Sequence, residues 1–69
     1  MELQTVLKCI IAQRGMTKTE VAERMGTKLG NVSDRLNKKQ GMTVRTLLRF
    51  LEALDCELVI RGDDEWIVK

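Results

Sequence analysis

Residues 16–39 read M-T-K-T-E-V-A-E-R-M-G-T-K-L-G-N-V-S-D-R-L-N-K-K, and this stretch decides the fold. Thr17 stands three residues before Glu20, the spacing of a capping box in which each side chain bonds the other's backbone N–H at a helix start. The helix that follows turns Val21, Ala22 and Met25 inward, and Gly26 stops it after about two turns. A turn at Gly26-Thr27-Lys28 leads into a second helix from about Leu29 to Asn37, which buries Val32 and Leu36. Ala22 is small where a neighbouring helix must cross closely. Gly26 supplies the left-handed residue that sets two short helices at about 90–120° to each other. Gly30, near the start of the second helix, weakens it by roughly 1 kcal/mol against alanine if it counts as interior.

The elements on either side follow from their periodicity. Over 2–14, Leu3, Val6, Leu7, Ile10 and Ile11 repeat at the spacing of one helical face, and Gly15 is the stop. Asn37 to Met42 form a polar connector with Gly41 as its turn residue. Thr43 then caps a fourth helix over 43–54, with Val44, Leu47, Leu48, Leu51 and Leu54 inward and Phe50 beside them. The period changes over 57–69. Glu57–Arg61 and Glu65–Lys69 read as two short strands joined by the three residues Gly62-Asp63-Asp64, a hairpin. Both faces of that hairpin carry apolar groups. One covers the helical core, and the other is wet in a monomer. The expectation is a single mainly α domain over 1–69, four helices followed by a C-terminal β-hairpin. The exposed apolar surface of the hairpin, with Val59, Trp66 and Ile67, is expected to be a dimer interface.

Composition narrows the chemistry. The 69 residues contain no histidine, which removes the Ser-His-Asp triad, the usual general base and the commonest metal ligand. Cys9 and Cys56 are too few for a four-cysteine zinc site and lack CxxC spacing, so no metal and no cofactor is expected. Two free thiols in a chain without a leader or a membrane-spanning run imply a cytoplasmic protein with no membrane partner. The net charge of +2 conceals an asymmetry: residues 1–49 carry ten basic and four acidic side chains, residues 50–69 two basic and six acidic. A basic body with an acidic tail suits a polyanion partner.

The capped entry at Thr17, the Ala22/Gly26 spacing and the leucine-rich segment T-V-R-T-L-L-R-F-L-E-A-L-D-C at 43–56 together make a helix-turn-helix signature. It resembles the lambda-repressor-like, Cro/Xre family of DNA-binding domains over roughly residues 3–60. The resemblance implies that the helix at 29–37 enters the major groove of double-stranded DNA. By position it implies base contacts from Lys28, Leu29, Gly30, Asn31 and Ser33: Lys28 to guanine, Asn31 to adenine, Leu29 to a thymine methyl. The family usually has polar residues where this chain has Leu29 and Gly30, which thins direct readout. Leu29 reads equally well as a core residue, and Asp34 as a solvated helix charge. Phosphate contacts are implied for Thr17, Lys18, Asn37, Lys38 and Lys39. Arg45 and Arg49 read as a solvated face, and Arg14 and Lys8 have no assigned role.

Three functions compete. The first is a sequence-specific transcriptional regulator, a dimeric repressor acting by occlusion, since 69 residues leave no room for a sensing domain. Its dimer would form through the hairpin or through the fourth helix. The second is the antitoxin of a toxin–antitoxin pair, binding a toxin as well as operator DNA. The third is an enzyme, which the missing catalytic groups disfavour. The reading adopted is a DNA-binding regulator that is not an enzyme.

Overall fold

A computed structural model describes residues 2–37 and 41–69. Its elements are α1 (Leu3–Gln13), α2 (Lys18–Met25), α3 (Leu29–Asn37), α4 (Val44–Ala53), β1 (Leu58–Arg61) and β2 (Glu65–Val68). This is the four-helix, mainly α architecture with a C-terminal hairpin that the periodicity predicts. The first and fourth helices are each one residue shorter at either end than expected, as fraying termini make them.

The helix boundaries have local causes. Thr17 caps α2: Glu20 N–H donates to Thr17 Oγ1 at 3.1 Å, and Thr17 N–H donates to Glu20 Oε1 at 3.2 Å. Thr43 caps α4 by accepting from Thr46 N–H at 3.2 Å. Three helices end by the same device. Gly15 (φ 65°), Gly26 (φ 69°) and Asp55 (φ 57°) each adopt the left-handed conformation. The next residue's N–H then reaches back five positions: Met16 to Ile11 O, Thr27 to Ala22 O, Cys56 to Leu51 O. These bonds satisfy carbonyls that have no partner within their helix. Asp55 does this without the freedom of glycine, which is why the sequence carries no turn signal at the junction of helix and strand.

One apolar cluster holds the helices together. Leu7, Ile11, Val21, Ala22, Val32, Leu36, Leu47, Phe50, Leu51, Ala53 and Leu54 are buried in it. Phe50, expected beside the inner face of α4, has no exposed surface and is the largest buried side chain. Val44, expected inward, is 58% exposed, because helical spacing sets it to the side of the line that Leu47, Phe50 and Leu54 follow into the core. α3 packs on both α1 and α2, and α4 packs on α2. Burying each large side chain contributes about 1.5–3 kcal/mol, so Phe50 and the leucines around it carry the domain.

The hairpin is attached by its base. β1 and β2 pair antiparallel in the register Leu58↔Val68, Val59↔Ile67, Ile60↔Trp66, Arg61↔Glu65. Leu58 packs against the core and Val68 is half-buried. Farther along the same face, Ile60 and Trp66 are 56% and 54% exposed, so only the first rung covers the helices and both faces beyond it are open.

Two glycine substitutions separate backbone strain from packing. A Cβ at Gly26 or at Gly30 meets no atom within 4 Å, but only Gly26 is left-handed. Gly26→Ala is expected to destabilise the domain by about 1 kcal/mol. Gly30→Ala is expected to leave it unchanged or to stabilise it by up to ~1 kcal/mol. Urea unfolding of the two variants beside the parent checks both.

Candidate nucleic-acid interface

α3 has two contrasting sides. Val32 and Leu36 are 1% exposed and fix the inner side in the core. At helical spacing the opposite side presents Gly30, Asp34 and Asn37, all exposed. Lys28 and Leu29 stand at the helix start. Leu29 is 46% exposed, so the core reading of this residue is set aside and an apolar side chain is displayed to solvent. Ser33 lies half-buried on the flank next to the core line, less accessible than the other four residues expected at the bases.

Asn31 does not hang freely. Its Nδ2 donates to Thr27 Oγ1 at 2.9 Å, bridging the turn and the first turn of the helix. One N–H and the Oδ1 acceptor remain available on an amide plane that is already oriented. Thr27 was not among the expected site residues. The signal was present as a hydroxyl four residues before an asparagine at a helix start, a spacing that brings side chains together. Thr27 and Asn31 share a polar cleft of about 150 Å³ with Arg35, Thr46 and Arg49, between the turn, α3 and α4.

The candidate phosphate residues fare differently. Lys18 is exposed on the first turn of α2. Thr17 is exposed as well, but its hydroxyl accepts from Glu20 N–H at 3.1 Å and donates to Glu20 Oε1 at 3.3 Å, so it is engaged in capping. The Lys18 and Thr19 amides above it have no partner within the helix and remain donors for an anion. Asn37 is exposed at the end of α3. Lys38 and Lys39 lie outside the described residues.

Three arginines have structural work. Arg49 Nη2 donates to Met25 O, the end of α2, at 2.9 Å. Arg24 Nη1 donates to Ala53 O, the end of α4, at 3.2 Å. Each helix thus supplies the cation that caps the other, where the helix dipole is negative. Arg49 is therefore more than the solvated charge expected of it. Arg14 approaches the same end of α4, with Nη2 at 3.4 Å from Asp55 O and 3.5 Å from Cys56 Sγ. The hydrogen bond to Cys56 is the main cause that pushes the Arg14 guanidinium above its usual pKa.

Among the described residues, no helix is long and apolar enough to cross a membrane, and no cluster of His, Cys, Asp and Glu could hold a metal ion. The family description "Cro/C1-type HTH DNA-binding domain" matches residues 6–59. No curated protein and no solved structure matches the chain. The match spans most of the chain, from within α1 through α4 and into β1, and the chain belongs to this family of DNA-binding domains.

The cross-helix caps predict a stability effect without a binding effect. Arg24→Met keeps the length of the stem and removes the donor to Ala53 O. It is expected to lower unfolding free energy by about 1 kcal/mol. Lys18→Met, which leaves no carbonyl unpaired, is expected to change stability by less than about 0.5 kcal/mol. Thermal unfolding of both variants distinguishes them.

Proposed function

We propose that this Cro/C1-type domain is a sequence-specific double-stranded-DNA-binding transcriptional regulator, a dimeric repressor that seats α3 in the major groove. The observation that carries the reading is the two-sided character of α3. Its inner side is locked in the core, and its start displays Lys28, Leu29 and an Asn31 amide held in plane by Thr27. Lys28 donates to guanine O6 and N7. Asn31 pairs with adenine through Oδ1 and its remaining N–H. Leu29 meets a thymine methyl. Gly30 lets the backbone approach the base edges, and Ser33 reaches the flank of the groove. Lys18 and the first-turn amides of α2 hold one phosphate, with Thr17 keeping that turn in place. Asn37, Lys38 and Lys39 hold the next, past the end of α3.

A single helix reads too few base pairs to select one operator. Two copies related by a twofold axis place two α3 helices in successive major grooves about 34 Å apart. The hairpin residues Val59, Trp66 and Ile67 form the surface on which the copies meet. Occlusion of a promoter by such a dimer is repression, and the cytoplasm is where the DNA is met. A second reading, an antitoxin that also binds a toxin, draws on one observation: among the described residues, four of the six exposed large hydrophobics lie on the hairpin.

The test is selection from random duplex DNA at about 150 mM salt, where non-specific binding is weak. Enrichment of two half-sites at fixed spacing is expected. Lys28→Ala and Asn31→Ala should each relax one position of the half-site, at a cost of about 1–3 kcal/mol. Thr27→Val should weaken the adenine preference by releasing the Asn31 amide. Lys18→Ala should weaken binding uniformly and reduce the salt slope by about 1 per half-site. No enriched sequence, or selection unaffected by Lys28 and Asn31, overturns the reading.

A further inference from the structure

The two strands of the hairpin carry one pattern. β1 with its leading residue reads Glu57-Leu58-Val59-Ile60-Arg61, and β2 with its trailing residue reads Glu65-Trp66-Ile67-Val68-Lys69. In each, an acid and a base flank three apolar residues. Run antiparallel, such a strand places acid opposite base at both ends. The hairpin uses this internally: Arg61 Nε meets Glu65 Oε1 at 3.0 Å, and the same register sets Glu57 opposite Lys69. A strand of this pattern is equally complementary to a second copy of itself.

The backbone is ready for that copy. Among the described residues the sheet has two strands, and the outer edge of β2 is unpaired. Gly62 N–H donates to Asp64 O at 2.9 Å, which fixes the parity of the ladder. The rungs Ile60/Trp66 and Leu58/Val68 exchange hydrogen bonds within the hairpin, and Arg61/Glu65 and Val59/Ile67 do not. The N–H and C=O groups of Glu65, Ile67 and Lys69 therefore point outward.

We infer that β2 pairs antiparallel with β2 of a second copy across a twofold axis at Ile67, forming a continuous four-stranded sheet. In that register Ile67 faces its own counterpart, Trp66 faces Val68 of the other copy, and Glu65 faces Lys69. Charge complementarity supports it. At each end of one face the sheet carries the row Arg61, Glu65, Lys69, Glu57, alternating in sign across the four strands. The middle row, Val59-Ile67-Ile67-Val59, is apolar throughout. On the other face Ile60, Trp66, Val68 and Leu58 form apolar rows. Trp66 and Ile67, each 54% exposed in the single chain, gain neighbours of matching chemistry. β2 is chosen over β1 because it carries the tryptophan, the larger exposed side chain, while Leu58 of β1 is already packed on the core.

This inference rests on the hairpin being the self-association surface, and its test contains no DNA. Failure therefore leaves the role of α3 standing, and the converse also holds. An isotope-filtered NOE spectrum of the full chain, labelled and unlabelled protein mixed, reads the register directly. An intermolecular Hα–Hα contact between Trp66 and Val68 is expected, with slowed exchange of the Ile67 amide that is lost on dilution. Ile67→Lys places two like charges on the axis at a site exposed in the single chain. It is expected to weaken dimerisation by about tenfold or more in sedimentation, with the circular dichroism unchanged. A Leu58–Ile60 contact in its place overturns the choice of strand. A chain that sediments as a monomer at NMR concentration, or a dimer indifferent to Ile67→Lys, overturns the proposal altogether.

Discussion

The end of α2 is the point on which the rest of this structure depends. A helix of only eight residues must stop within a buried packing arrangement, and its last carbonyls have no partner of their own. Gly26 turns left-handed, Thr27 N–H returns to Ala22 O, and Arg49 from α4 reaches Met25 O. These three interactions define one geometry for the turn. That geometry sets the direction of α3 and thus which of its sides faces solvent. Arg24 completes the arrangement from the other side, tying the end of α4 to α2. The proposed readout surface is held by packing on one side and by paired helix ends on the other, the rigid support that side chains aimed at base edges need.

The fold was legible in the sequence because its local signals agree with one another. Thr17 and Glu20, Gly15, Gly26 and Thr43 mark helix ends by chemistry that acts within a few residues, and the structure realises each of them. What escaped depends on distance along the chain. That Arg24 would meet Ala53, or Arg49 Met25, is a property of how α2 crosses α4 and leaves no trace in spacing. Asp55 escaped for the opposite reason: it adopts a glycine-like conformation without being glycine. Val44 was misplaced because periodicity tells which side of a helix is apolar but not how wide a strip of it the neighbours cover. At the candidate site, the exposure of Leu29 could not be read from sequence, since an apolar residue at a helix start fits a core and a groove equally. Asn31 was legible as a candidate, but the bond that orients it was missed.

The charge asymmetry also changes meaning. Ten basic side chains in the body suggested a polyanion partner, yet Arg14, Arg24 and Arg49 donate to carbonyls at helix ends. Their field still favours an anion nearby, but each has one guanidinium nitrogen committed to a carbonyl. On the proposed reading, the groups left for DNA are fewer, and among the described residues they lie on α2's first turn and along α3. Affinity built from few phosphate contacts is modest, and its salt dependence scales with their number. On the proposed reading, a second copy doubles both.

The hairpin is where that requirement meets the limits of a small domain. A 69-residue chain buries a modest share of its surface, and an isolated two-stranded hairpin is marginal in water. Here only Leu58 and Val68 anchor it, while Val59, Ile60, Trp66 and Ile67 remain exposed. Their exposure is costly in a monomer, and the open strand edges invite pairing. If the edge of β2 closes on its own copy, the same event covers this surface, satisfies the outward backbone groups and joins two readout helices in one particle. Stability of the hairpin and affinity for an operator then become linked quantities, because whatever binds the paired form stabilises it. Protein concentration would control occupancy of the DNA through the strand edge, with no ligand-sensing element needed.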